Sequence, residues 1–184
     1  MSVKMDIETT FPNTVILSVI DRTINYLVNE VGIDVVRVSS ATGDIDRLDL
    51  KEFTAIIGIG GSIGLLIAFS FPRDFADVLC GRLTTGFDVA PDDIATYRRS
   101  TVTEVANVIV GNCTADFSEF GERICMSPPV LLEETKYIHR MENAAFYSIS
   151  IVTAQGTFDI NLVGPWDMFN TRLEYVNEVR TWNA

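Results

Sequence analysis

The run from Phe53 to Pro72 contains no charged side chain, and it constrains the fold more than any other stretch of the chain. By length it matches a membrane span, which takes about 20 apolar residues. Its middle, Gly58-Ile59-Gly60-Gly61-Ser62-Ile63-Gly64, divides it into two β-rich pieces around a turn. We therefore expect a buried hairpin with strands at 53–59 and 62–71. The glycines do not form a phosphate-binding loop, because Ile63 stands where G-x-G-x-x-G needs glycine and a strand, not a helix, follows.

Helices are expected to cover such a hairpin. Between Asn13 and Val31 the apolar residues Val15, Ile16, Val19, Ile20, Ile24, Leu27, Val28 and Val31 recur at spacings of three and four, and Gly32 ends the pattern. Asp34 to Ser39 reads as a short strand, and the acidic stretch with Asp44, Asp46, Asp49, Lys51 and Glu52 as a solvated connection without EF-hand spacing. Pro72 suits the first turn of a helix reaching Arg82. Pro91, Asp92 and Asp93 open a longer one running to about Asp116. A second hairpin spans 145–153 and 156–163, and 167–182 reads as a terminal helix around Phe169, Leu173 and Trp182. The fold class is α+β: an antiparallel sheet of paired hairpins packed against long amphipathic helices, with an extra C-terminal helix. The helix-then-hairpin order occurs twice. We expect one domain over 1–184, with a core at about 10–163 and a C-terminal helical extension at 164–184.

The formal net charge of −11 repels nucleic acid and anionic membrane surfaces, and favours a basic or neutral protein partner. Cys80, Cys113 and Cys125 lack CxxC spacing and are expected as buried free thiols in a reducing compartment. With His139 as the single histidine, neither a His/Cys metal cluster nor a Ser/His/Asp triad can be assembled in the usual way, and His139 is expected at the surface. The N-terminal MSVKMDIETTFP does not read as a signal peptide. A cytoplasmic location is the expectation.

On the helix from Asp92, at about 100° per residue, Ile94, Tyr97, Thr101, Val102, Val105, Val108 and Ile109 fall on one side. Ser100, Glu104, Asn107 and Gly111 fall on another, within roughly a 60° arc, so a carboxylate and an amide project together. Arg98 and Arg99 are expected to pair locally with Asp92 and Asp93.

The spacing of Ser100, Glu104 and Asn107, followed by Pro129 with Pro128 beside it, resembles the Asp/Ser-x-x-x-Glu-x-x-Asn…Pro signature of the CheC/CheX/FliY chemotaxis phosphatases. The flanks are similar too: an uncharged hairpin, Ser-Phe-Pro opening a helix, an acidic loop, then Glu-Val-Ala-Asn-Val-Ile-Val-Gly-Asn. The resemblance extends over residues 10–163. It implies a phosphatase acting on the aspartyl phosphate of a CheY-like response regulator, with no cofactor of its own and the Mg²⁺ held by the partner's receiver domain. It further implies that Asn107 orients the attacking water, Glu104 docks on the receiver's lysine, and Ser100 and Pro129 support the motif. An amide cannot serve as a general base, but it can hydrogen-bond a water and aim it. CheC-type relatives repeat the motif on the first helix. Here Asn25 in the asparagine position puts Arg22 where the glutamate belongs. One motif resembles CheX, which implies a homodimer. The alternatives are a non-catalytic module binding a receiver or flagellar partner through the same surface, and a small-ligand sensory domain.

Overall fold

The structure, a computed structural model, describes residues 11–42, 46–61, 64–118, 124–169 and 176–178. The first helix, α1 (Phe11–Asn25), continues into a π-helical segment (Tyr26–Val31) that Gly32 ends with a left-handed φ of 71°. There follow β1 (Val35–Thr42), β2 (Arg47–Asp49), β3 (Phe53–Gly61), β4 (Leu65–Phe71) and α2 (Arg73–Leu83). A 3-10 turn (Pro91–Asp93) leads into α3 (Ile94–Ser118), then β5 (Ile124–Met126), β6 (Val130–Glu133), β7 (Tyr137–His139), β8 (Ala144–Thr153) and β9 (Gly156–Pro165). A second 3-10 turn (Trp166–Phe169) and β10 (Val176–Glu178) complete the described chain.

The main sheet is antiparallel, in the order β10-β1-β8-β9-β4-β3-β5, with β6 also on β3. Alternation along the strands sends Phe53, Ala55 and Ile57 of β3, and Phe69 and Phe71 of β4, into one core beneath the helices. Phe75 of α2 stacks on Phe71 (6.1 Å) and Phe158 (5.0 Å), which docks that helix on the two central hairpins. The other face carries polar pairs such as Thr54 with Ser70 (2.9 Å) and Lys51 with Asp159 (3.0 Å).

The doubled order foreseen in the sequence is a pseudo-twofold arrangement. α1, β1, the β3–β4 hairpin and α2 correspond to α3, β6, the β8–β9 hairpin and the Trp166–Phe169 turn. β4 and β9 meet at the centre, and each hairpin is flanked by the single strand of the other half: β1 on β8, β6 on β3. Pro72 and Pro165 precede the two closing helical turns.

Several expectations are corrected. The terminal helix over 167–182 is absent from the described part of that segment, where a 3-10 turn is followed by strand β10 on the edge of β1; backbone pairing with a free sheet edge overrides a weak helical pattern. Residues 170–175 and 179–184 lie outside the described residues. Gly58, Gly60 and Gly61 are residues of strand β3, not turn residues; at 58 and 60 the bare backbone admits a close neighbour, since a Cβ there would stand 3.2 Å from Ser127 Oγ and 3.0 Å from Cys125 Sγ. Ser62 and Ile63 lie outside the described residues, as does Asp44 of the acidic stretch. Part of that stretch is β2, which pairs with β7. Cys80 and Cys113 are buried free thiols, whereas Cys125 is exposed at the sheet edge on β5. His139 is at the surface, edge-on to Tyr137 at 5.1 Å.

Candidate functional site

α3 carries the motif. Pro91 and two acids occupy the turn that feeds it, where a fixed φ and negative charge both favour a helix start. Val102, Val105, Ala106, Ile109, Cys113 and Phe117 recur at helical spacing and are fully buried, which turns the opposite side to solvent. On that side Ser100 and Glu104 are exposed and Asn107 is half-buried. Among the described residues neither Glu104 nor Asn107 makes a hydrogen bond or an ion pair. A Cβ on Gly111, one turn beyond, would meet nothing within 4 Å, so the face stays open there. The Thr103 hydroxyl donates back to the Arg99 and Ser100 carbonyls (3.0 and 2.9 Å) and is spent on the helix.

Pro129 is not on this helix. It stands half-buried in the link between β5 and β6, both of which contact α3. The link is pinned to β3: the Ser127 N–H donates to the Gly58 carbonyl (2.8 Å), and Ser127 Oγ accepts from the Gly58 N–H (2.8 Å).

The arginines beside the motif reach across elements. Arg98 pairs with Asp77 of α2 and lies over the Phe53 ring, and Arg99 pairs with Glu133 of β6 at 2.8 Å. Asp92 and Asp93 are five to seven residues away, outside the spacing of three or four that makes helical neighbours, so the expected local pairs do not form. Ile94 and Tyr97 were expected with the apolar side, yet both are exposed, at 42% and 41%, since the first turns of α3 extend beyond the buried stripe.

α1 carries the topological counterpart of the motif. Ser18, Arg22 and Asn25 repeat the spacing of Ser100, Glu104 and Asn107 with an arginine in place of the carboxylate. Arg22 grips Asp116 of α3 with two bonds, Nη2 to Oδ1 at 2.5 Å and Nε to Oδ2 at 3.0 Å, and Ser18 Oγ donates to Asp116 Oδ2 at 2.5 Å. The serine and arginine of the first-helix pattern thus tie α1 to α3. Arg22 is legible in the sequence as a break in the motif, whereas Ser18, four residues earlier, and the acid on α3 join it only through the packing of the two helices.

These bonds set local titration. The Arg22 guanidinium, then the Ser18 hydroxyl, hold Asp116 below its ordinary value against the opposing effect of burial. Burial, then the Asp116 charge, push Asp21 up, and burial pushes the Cys113 thiol up to about 12. A lowered folded pKa means that Asp116 contributes stability above the ordinary carboxylate range and loses it as pH falls through the folded value. Asp21 acts oppositely: its raised pKa favours the fold below the ordinary value and penalises it as pH rises through the folded one. Asp116→Asn should therefore lower the melting temperature at neutral pH by a few degrees, the effect of about 1 kcal/mol in a chain this size. The gap to wild type should narrow below about pH 4. A gap independent of pH in a thermal melt series would contradict this.

The π-helical segment brings Tyr26 beside the motif. Burial first, then the negative charges of Glu104 and Glu30, push its hydroxyl pKa up. Nothing in the sequence signals this influence, because the two residues sit on different helices. Among the described residues no group of three or more His, Cys, Asp or Glu side chains could hold a metal ion, and no helix is long and apolar enough to cross a membrane.

The sequence pattern described as chemotaxis phosphatase CheX matches residues 53–151, more than half of the chain. The chain belongs to the CheX family. The matched CheX segment includes β3, α3 and the β5–β6 link, and with them Ser100, Glu104, Asn107 and Pro129, while α1 lies outside it. Solved structures share the fold. A chemotaxis protein CheX from Desulfovibrio desulfuricans superposes with a TM-score of 0.69 at 21% identity, covering 80% of this chain and 97% of that one. A chemotaxis protein from Desulfovibrio vulgaris Hildenborough gives 0.70 at 24%, covering 80% and 94%. A third match, at 0.63 and 15% identity, covering 82% and 96%, comes from a complex of CheX with CheY, BeF3 and Mg²⁺ from Borrelia burgdorferi. Comparison with curated proteins returns no match.

Proposed function

We propose that this CheX-family chain is a phosphatase that hydrolyses the aspartyl phosphate of a CheY-like response regulator, acting as a single domain in the cytoplasm. The observation that carries the reading is the pair Glu104 and Asn107, side by side on the solvent face of α3 and free of protein partners among the described residues. Uncommitted polar groups on a rigid helix can engage a second molecule without first breaking bonds of their own.

In the proposed chemistry the receiver supplies both the phosphoryl group and the Mg²⁺ that neutralises its charge. Asn107 hydrogen-bonds a water and aims it at phosphorus opposite the aspartate oxygen. The water's oxygen forms the new P–O bond, the aspartate oxygen leaves with its electrons as carboxylate, and inorganic phosphate departs. Glu104 pairs with the receiver's lysine and holds the two surfaces in register. Phosphoryl transfer asks mainly for positioning and charge neutralisation, so one amide and one carboxylate suffice when the partner brings the metal. Ser100 and Pro129 border the site as supporting residues. We also carry over the family's homodimer, for which the outward sheet face offers apolar surface: an open groove of about 550 Å³ runs along Gly58, Gly60, Leu66, Cys125 and Met126.

The test is to phosphorylate a CheY-like regulator from the same organism with a small donor in Mg²⁺ and follow its decay with and without the chain. Acceleration is expected; unchanged decay across several regulators would leave a binding module as the better description. Asn25→Ala should leave any acceleration within twofold of wild type, because α1 presents Arg22, bound to Asp116, where a second site would need a carboxylate. A loss of half or more of the rate in a decay assay would mean that α1 also contributes.

A further inference from the structure

The solvent stripe of α3 has exposed neighbours before Ser100. Tyr97 borders it on the N-terminal side, about 60° round the helix from Ser100 and two turns before Glu104, or roughly 10 Å along the axis, and Ile94 stands one turn further out and about 60° further round. Both are exposed large apolar side chains. Their surroundings are acidic: Asp88, Asp92, Asp93 and Glu104 are all exposed. The nearby arginines offer little balancing charge, since Arg98 is bound to Asp77 and Arg99 to Glu133. The result is an exposed apolar pair with an acidic border, flanking the face that carries Glu104 and Asn107.

We propose that Tyr97, with Ile94 beside it, is the apolar anchor that determines which receiver docks on α3, and that the matching receiver surface is an apolar patch edged with lysine or arginine. The inference rests on the phosphatase reading for its occupant and adds a specificity determinant to it. Size argues for it first. A specific interface covers about 800 Å² on each partner, a patch some 30 Å across. A receiver whose footprint is centred on Glu104 therefore covers Asn107 and also Tyr97, roughly 10 Å away along the helix, and reaches Ile94, roughly 15 Å away, at its rim. Charge argues second, because the acidic border complements the lysine that Glu104 is to meet and repels acidic competitors. Side-chain chemistry argues third. Tyrosine buries a large rigid area for two rotatable bonds, and such residues carry much of the binding energy at interfaces.

The test uses the full chain and a receiver held in its activated form with beryllofluoride and Mg²⁺, with affinity measured by titration and turnover measured separately on the phosphorylated receiver. Tyr97→Ala should weaken binding about tenfold or more and raise KM in proportion, with kcat within twofold of wild type. Tyr97→Phe should retain most of the affinity, and Ile94→Ala should lose less than Tyr97→Ala. Unchanged melting temperatures would place these effects at the docking surface. Unaltered affinity in both alanine variants overturns the anchor while leaving the phosphatase reading intact. Binding that weakens in Tyr97→Ala although wild type hydrolyses nothing supports the anchor and removes the phosphatase. A wild-type chain that binds no receiver overturns both.

Discussion

Asn107→Ala removes the acceleration of receiver dephosphorylation, on the order of a hundredfold or more, while receiver affinity and melting temperature stay near wild type. The rate effect follows from the proposed role: without the amide the water is no longer held in line, and orientation of a reacting pair is among the larger contributions an enzyme makes. Stability is preserved because Asn107 is only half-buried and makes no hydrogen bond among the described residues, so its removal leaves no buried group unpaired. Affinity is preserved because docking is assigned to Glu104 and the residues before it. The measurements are single-turnover decay at saturating protein, titration of a beryllofluoride-loaded receiver, and a thermal melt. A matching loss of affinity would make Asn107 a binding residue.

Glu104→Arg should abolish productive docking, weakening receiver binding a hundredfold or more. Removing one partner of a desolvated charge pair at an interface costs about 2–5 kcal/mol, and reversing its sign adds repulsion of the receiver's lysine. The substitution also gives α3 the charge pattern that α1 already has at Ser18, Arg22 and Asn25. If that variant binds and hydrolyses normally, the role assigned to the carboxylate is wrong, and so is the reason for expecting no second site on the first helix. Folding is not at stake, since Glu104 is exposed and makes no ion pair among the described residues.

Much of the fold was legible because its signals are local. The uncharged run with central glycines and the β-branched stretch after Ala144 announced two hairpins, and the spacing from Pro91 to Asp116 announced α3. Glycines 58 and 60 were misread for a reason local pattern cannot supply. They are bare because Ser127 and Cys125, more than sixty residues away, lie against them. The C-terminal strand escaped for a similar reason, since β10 exists where the edge of β1 offers backbone partners. At the candidate site, Ser100, Glu104 and Asn107 could be aligned from helical spacing alone. Tyr26 and the clamp from Arg22 to Asp116 join different helices, so only the packed structure brings them together.

A catalyst turns over many phosphorylated receivers, whereas a sink holds one. The two are separated by mixing trace wild-type protein with a large molar excess of phosphorylated CheY-like regulator in Mg²⁺ and counting the phosphate released per protein molecule. Many turnovers and a decay rate proportional to protein concentration are expected of the phosphatase. Release that never exceeds the receiver's own decay, or that stops at one phosphate per protein molecule, would contradict it.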